Sequence, residues 1–300
     1  MSTTAIAPAG SAEMVSEDRP PSLARAVLRS AEGRIGLGLG LVLLLVVVVG
    51  PLVAPYDPNA VGTGPATAGP SAAHLLGTDQ LGRDVFSRFV NGGRSVLLVP
   101  LAAVTLALVV GGGLGLLGAY LRGLPDTIIA RTFDLLNAVP TLLVVLVLIA
   151  GLGTSVGVII LTVALAFTPR IGRIVRGAGQ AAVTNEYVTT ARLRGESTAW
   201  ILGREILPNV AGAVLAVYAL YLTYGIIYVA TLSFLGLGAQ PPSSDWGLMV
   251  AESRPFLAIN PWATLTPAFA IAALAVAFTM VADAVNRHLA RAIEQSGSAL

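Results

Sequence analysis

Apolar residues in this chain gather into long, nearly unbroken runs separated by short polar stretches. That pattern fits helices crossing a bilayer better than amphipathic elements around a soluble core. A crossing helix takes about 20 mainly apolar residues. Six runs are candidates: Ile35–Ala54, Val96–Leu121, Leu135–Gly153, Ser155–Pro169, Ala211–Leu237 and Ala263–Ala282. The fourth is short, and a snorkelling Arg170 would lengthen it. The first exceeds the roughly 7–15 apolar residues of a signal-peptide core and reads as a retained anchor. The pattern predicts an all-α integral membrane protein with six transmembrane helices.

The stretches between the runs have their own character. Residues 1–22 are rich in Ser, Ala and Pro without periodicity, the composition of a disordered tail. Residues 55–94 open with Pro55, Pro58, Pro65 and Pro70. From Asp84 to Val90, the apolar Val85, Phe86, Phe89 and Val90 share one helical face, with Asp84 and Arg88 four apart; this predicts a short helix lying on the membrane surface. In the polar loop 170–210, Glu186–Arg194 reads as a helix and Gly195 as its interruption. Ser197 or Thr198 then caps a second helix running to Pro208. Within the second run, Ala103, Ala107, Gly111, Gly115 and Ala119 recur every fourth residue and form a smooth ridge for close helix packing. On the fifth run, Tyr218, Tyr221, Tyr224, Tyr228 and Thr231 fall within an arc of about 140° at 100° per residue. Hydroxyls on one side of an apolar helix suit a wetted route for a polar solute; tyrosines filling space between helices is the alternative reading.

Composition and charge narrow the function. Of the 300 residues, 55% are hydrophobic and 11% charged, against about a quarter charged in ordinary soluble domains. There is no Cys, which excludes thiolate metal sites and Cys nucleophiles. With only two His, His74 and His288, an imidazole metal centre is implausible. All 18 basic residues are Arg, so no P-loop lysine exists, and any ATP that drives this protein is hydrolysed by another chain. The net charge of +2 reflects Arg placement about a membrane and gives no reason to expect a nucleic-acid partner. With the N-terminus inside, about fourteen arginines fall on inner segments and about four on outer ones, which predicts cytoplasmic termini. Trp246 and Trp262 would then sit near the outer interface. No ionisable side chain falls within the six runs as drawn, so a proton relay has no parts.

The stretch EYVTTARLRGESTAWILGREILPN at 186–209 resembles the EAA motif of membrane subunits in ATP-binding-cassette importers. Gly195, Leu207 and Pro208 match its fixed points, and Thr189, Thr190 and Ala191 occupy the EAA positions, with only the final Ala kept. LLGTDQLGRDVFSR at 75–88, LSFLGLGAQPPSSDWG at 232–247 and PWATLTPAFAIA at 261–272 are similar to stretches of the dipeptide/oligopeptide/nickel group, in its second-permease type. The tail ADAVNRHLARA departs from it in lacking an Asp-Pro pair.

The resemblance implies a type I importer permease fold, an N-terminal helix plus a five-helix core. Its parts would be a cytoplasmic tail at 1–34, the first helix at 35–54, an extracytoplasmic loop at 55–94, a core at 93–285 containing the coupling loop 186–209, and a cytoplasmic tail at 286–300. Glu186, Thr189, Thr190, Ala191, Arg192, Gly195, Leu207 and Pro208 would couple to an ATPase subunit. Ala191 would permit close approach to its groove, and Arg192 and Arg194 would face its acidic groups or simply follow the positive-inside rule. Implied partners are a homologous second permease subunit, two cytoplasmic ATP-binding subunits that use ATP and Mg, an extracytoplasmic solute-binding protein, and membrane lipid. This chain would bind no cofactor and catalyse no bond chemistry. The expected cargo is a dipeptide or oligopeptide; nickel or another small solute, or an ATP-independent transporter or channel, are the alternatives.

Overall fold

A computed structural model describes residues 27–297, with side chains through His288. The expected disordered tail at 1–22 lies outside the described residues. The described chain is helical: α1 (Ala31–Val53), α2 (Val85–Leu121), α3 (Gly123–Ala138), α4 (Thr141–Leu152), α5 (Val156–Val183), α6 (Glu186–Leu193), α7 (Thr198–Phe234), α8 (Trp246–Ser253) and α9 (Trp262–Gly297). Five of these helices are long and apolar enough to cross a membrane, six when the bent pair α3–α4 is counted as one span. Side-chain caps fix several helix starts: Ser30 accepts from the Gly33 N–H, Asp84 from Ser87, Ser155 from Val158 and Asp245 from Leu248.

The third apolar run is not one helix. It breaks between Ala138 and Thr141, and α3 and α4 meet at 84°. Pro140 is the cause, since it lacks the N–H that would continue the ladder and holds Val139 in an extended conformation. Hydropathy alone does not register such a bend.

α5 is the central helix, packed against α2, α3, α4 and α7, while α1 and α9 pair on one flank. The ridge on α2 meets α5. Ala103, Ala107 and Ala119 are fully buried, and a Cβ on Gly111 or Gly115 would strike the carbonyl oxygen of Thr168 or Gly172. A one-turn π-helical segment, Leu108–Gly112, interrupts α2 at this contact. Glycine is required here because backbone, unlike a flexible side chain, cannot swing aside.

The segment 84–90 is a correction to the sequence reading. It is the first turns of α2, and the Asp84–Arg88 spacing reflects no ion pair between them. Asp84 caps α2 and bonds His74 Nδ1 at 2.8 Å. Arg88, 1% exposed, donates to Asp79 at 2.7 Å and to Glu252 of α8 at 2.9 Å. Arg83 donates to the same two carboxylates at 2.6 and 2.9 Å. Asn260 ties the loop down further, its amide donating to the carbonyls of Ala68, Leu76 and Thr78. The stretch 55–84 is thus a cap pinned onto α2, α8 and the start of α9. Trp246, the first residue of α8, packs inside the bundle: it is fully buried, stacks on Phe89 of α2 and donates its indole N–H to the Phe89 carbonyl at 2.7 Å. Trp262 remains exposed.

Candidate functional site

At the opposite end of the bundle, α6 and the start of α7 form a helix–turn–helix. Gly195 has φ +76°, and the turn closes as a Schellman motif: the Gly195 N–H donates to the Arg192 carbonyl at 3.0 Å and the Glu196 N–H to Ala191 at 3.3 Å. Ser197 caps the second helix by accepting from the Trp200 N–H. Both features match the sequence reading. The second helix does not end at Pro208, however. It passes through a π-helical turn, Ile201–Ile206, and continues as α7; Pro208 follows that turn directly, and a local π-helical adjustment is one way a membrane helix accommodates proline. The second half of the loop is therefore helically continuous with a membrane-spanning helix.

Of the residues expected to face the ATPase subunit, one is not on the surface of the knob. Ala191 is fully buried and packs with Val188, Ile201 and Ile206 in this chain's own core, so its small side chain serves packing within the knob and not close approach by another protein. Glu186, Thr189, Thr190, Arg192, Leu207 and Pro208 are exposed. Arg192 lies over the Tyr120 ring at 4.5 Å, and Arg194 donates to Glu205 at 3.2 Å, so both have partners within the chain. Leu193, 85% exposed at the tip of the turn, was missed by the sequence reading. Its signal was present, an apolar residue beside a helix-ending glycine.

The tyrosines of α7 line a cleft of about 330 Å³ with Phe167 and Arg170 of α5. Tyr221, Tyr224, Tyr228 and Thr231 all take part; Tyr218 does not, its hydroxyl sharing a 2.7 Å hydrogen bond with Thr105 of α2. Tyr221 is buried edge-on against Phe167, Tyr224 is half exposed, and the buried Tyr228 hydroxyl has no partner. Arg170 does not snorkel to lengthen a short span: it stands at the midpoint of the 28-residue α5 and donates to Thr141.

A bundle of long apolar helices with an aromatic cleft and a helix–turn–helix at one end has the build of a multi-pass membrane subunit. The profile of the family described as binding-protein-dependent transport system inner membrane component matches residues 107–295, and this chain belongs to that family. It is 37% identical over 221 residues to the dipeptide transport system permease protein DppC of Alkalihalophilus pseudofirmus, covering 74% of this chain and 73% of that protein. It is likewise 37% identical over 221 residues to the glutathione transport system permease protein GsiD of Pectobacterium atrosepticum, with the same coverage. Its fold is similar to a chain of the MetNI methionine ABC transporter, with TM-score 0.54 and 16% identity, over 67% of this chain and 95% of that one. The chain is accordingly a multi-pass inner-membrane permease subunit of an ABC importer, a class that works with ATPase and solute-binding partners.

Proposed function

We propose that this chain forms half of a pathway that carries small peptides into the cytoplasm. The second half would be a homologous permease subunit. Two ATP-binding subunits would dock on the knob at 186–209 from the cytoplasm, using ATP and Mg, while a solute-binding protein would deliver cargo to the capped end. The cap at 55–84 would therefore face outward. The observation that carries coupling is the continuity of the knob with α7: motion imposed on α6 reaches the tyrosine cleft without passing through a flexible linker. A peptide cargo is supported by the relatives, which are permease proteins of dipeptide and glutathione transport systems.

Proteoliposomes holding the full complex are expected to accumulate a labelled dipeptide only with ATP and the binding protein, and to ignore Ni2+. Nickel uptake without dipeptide uptake would overturn the peptide reading. Single Cys residues at the exposed Ser71 and Gln240 are expected to react with an impermeant thiol reagent from outside intact cells, and one at exposed Ala199 only after lysis. Labelling of position 199 in intact cells would reverse the orientation. Ser244, at 8% exposure, is too buried to serve as a labelling site.

Tyr228 separates pathway from packing. Its hydroxyl is buried without a partner, so Tyr228→Phe removes an unsatisfied polar group and should leave stability unchanged or slightly raised. A severalfold fall in uptake at unchanged melting temperature is the expected result. Unaltered uptake in Tyr228→Phe and Tyr221→Phe would mark these rings as packing alone.

A further inference from the structure

Three arginines follow one another along α5, and only two of them are neutralised. Arg173 donates to Asp134 at 2.7 Å, and Arg176 grips Asp126 through a two-bond fork at 2.5 and 2.7 Å. Arg170 makes one bond, at 2.9 Å to the neutral Thr141 hydroxyl, and has no carboxylate partner among the described residues. It is exposed into the cleft, halfway along a membrane-spanning helix. A guanidinium set among aromatic and apolar walls is favoured by water or by an opposite charge. The remaining walls include Phe167, Tyr221, Tyr224 and Tyr228, aromatic faces that cover an apolar side chain. A guanidinium fork in such surroundings suits a carboxylate, which it binds in two parallel bonds.

We propose that Arg170 receives the terminal carboxylate of a peptide in transit, which makes the cleft a low-affinity carboxylate site within the membrane. The inference rests on the peptide reading above and adds the group by which the permease itself, apart from its binding protein, recognises cargo. Aromatic walls then accept varied side chains, while the carboxylate common to all unmodified peptides supplies the fixed contact.

The test uses the purified full complex without the binding protein, so that the latter's own preference is not measured. The natural chain has no Cys, so a thiol at the exposed, cleft-lining Ile227 reports directly on occupancy. L-Ala-L-Ala at millimolar concentration is expected to slow alkylation of Ile227→Cys severalfold, while its C-terminal amide does not. Adding Arg170→Gln should abolish protection by the acid, and Arg170→Lys, which keeps the charge, should retain part of it. Both variants must co-purify with the partner subunits. Equal protection by acid and amide, protection that survives Arg170→Gln, or Arg170→Lys behaving as Arg170→Gln would each overturn the assignment. ATP-driven uptake of the same dipeptide by the unmodified complex is measured in parallel. Failure there overturns the peptide reading itself, whereas uptake without protection overturns only the role of Arg170.

Discussion

Gly195→Val is expected to abolish uptake while leaving the protein folded and inserted, and Gly195→Asn to preserve most of it. At φ +76° a branched side chain is disfavoured by the backbone itself, by about 1–2 kcal/mol or more. Space is not the issue, because a Cβ at Gly195 would have no neighbour within 4 Å. Asparagine visits this conformation readily, so it isolates backbone strain from loss of glycine as such. A turn pushed out of the left-handed region loses the two bonds that close the C-terminal end of α6, and with them the placement of Leu193. The strain is small against the packing of the whole bundle, yet the loop's proposed task depends on its shape. Co-purification of the ATP-binding subunits and substrate-stimulated ATP hydrolysis are the measurements. Normal values for Gly195→Val would remove the coupling role from this turn.

The largest loss of stability is expected from Asp79→Ala. One carboxylate oxygen of Asp79 accepts from both Arg83 and Arg88, and the other accepts the backbone N–H groups of Leu81 and Arg83. Both guanidiniums are about 2% exposed or less, so truncating Asp79 leaves two buried cations sharing Glu252 alone. Breaking a buried pair from one side typically costs about 3–5 kcal/mol. The cap at 55–84 should therefore detach, becoming protease-sensitive before the helices melt. Glu252→Gln, at a carboxylate that is 15% exposed, should cost less. If Asp79→Ala left proteolysis of this segment unchanged, the network would be incidental to the cap.

What could be read from the sequence was what depends on near neighbours. Gly195 and Ser197 were legible because a helix end and a helix cap are decided within a few residues. The ridge on α2 was legible because small residues four apart must lie along one face, although the sequence does not name α5 as the helix they meet. Arg88 was misread because its partners, Asp79 and Glu252, are respectively earlier in the loop and on α8, and a four-residue spacing to Asp84 offered a nearer explanation. Ala191 was misassigned for a related reason: a small residue near a turn fits an external groove and an internal one equally well. The break at Pro140 hid inside a run whose hydropathy is unaltered by an 84° bend. Arg170 looked like the end of an apolar run because Arg173 and Arg176 follow it directly, and their acids, Asp134 and Asp126, lie far away in sequence on α3.

The two ends of the bundle are held by charges in different dielectric surroundings. At the capped end, Asp79, Arg83 and Arg88 are shielded from water, so their attraction is strong and little affected by salt. At the knob end, Arg173–Asp134 and Arg194–Glu205 are about half exposed or more on the arginine side, and pairs of that kind are each worth under about 1 kcal/mol. Raising ionic strength loosens only the second set. The exposed pair that joins α3 to α5 can thus change partners at thermal cost, while the cap stays one rigid piece and the turn of the knob keeps its backbone bonds, so the yielding contacts are those between helices beside the knob.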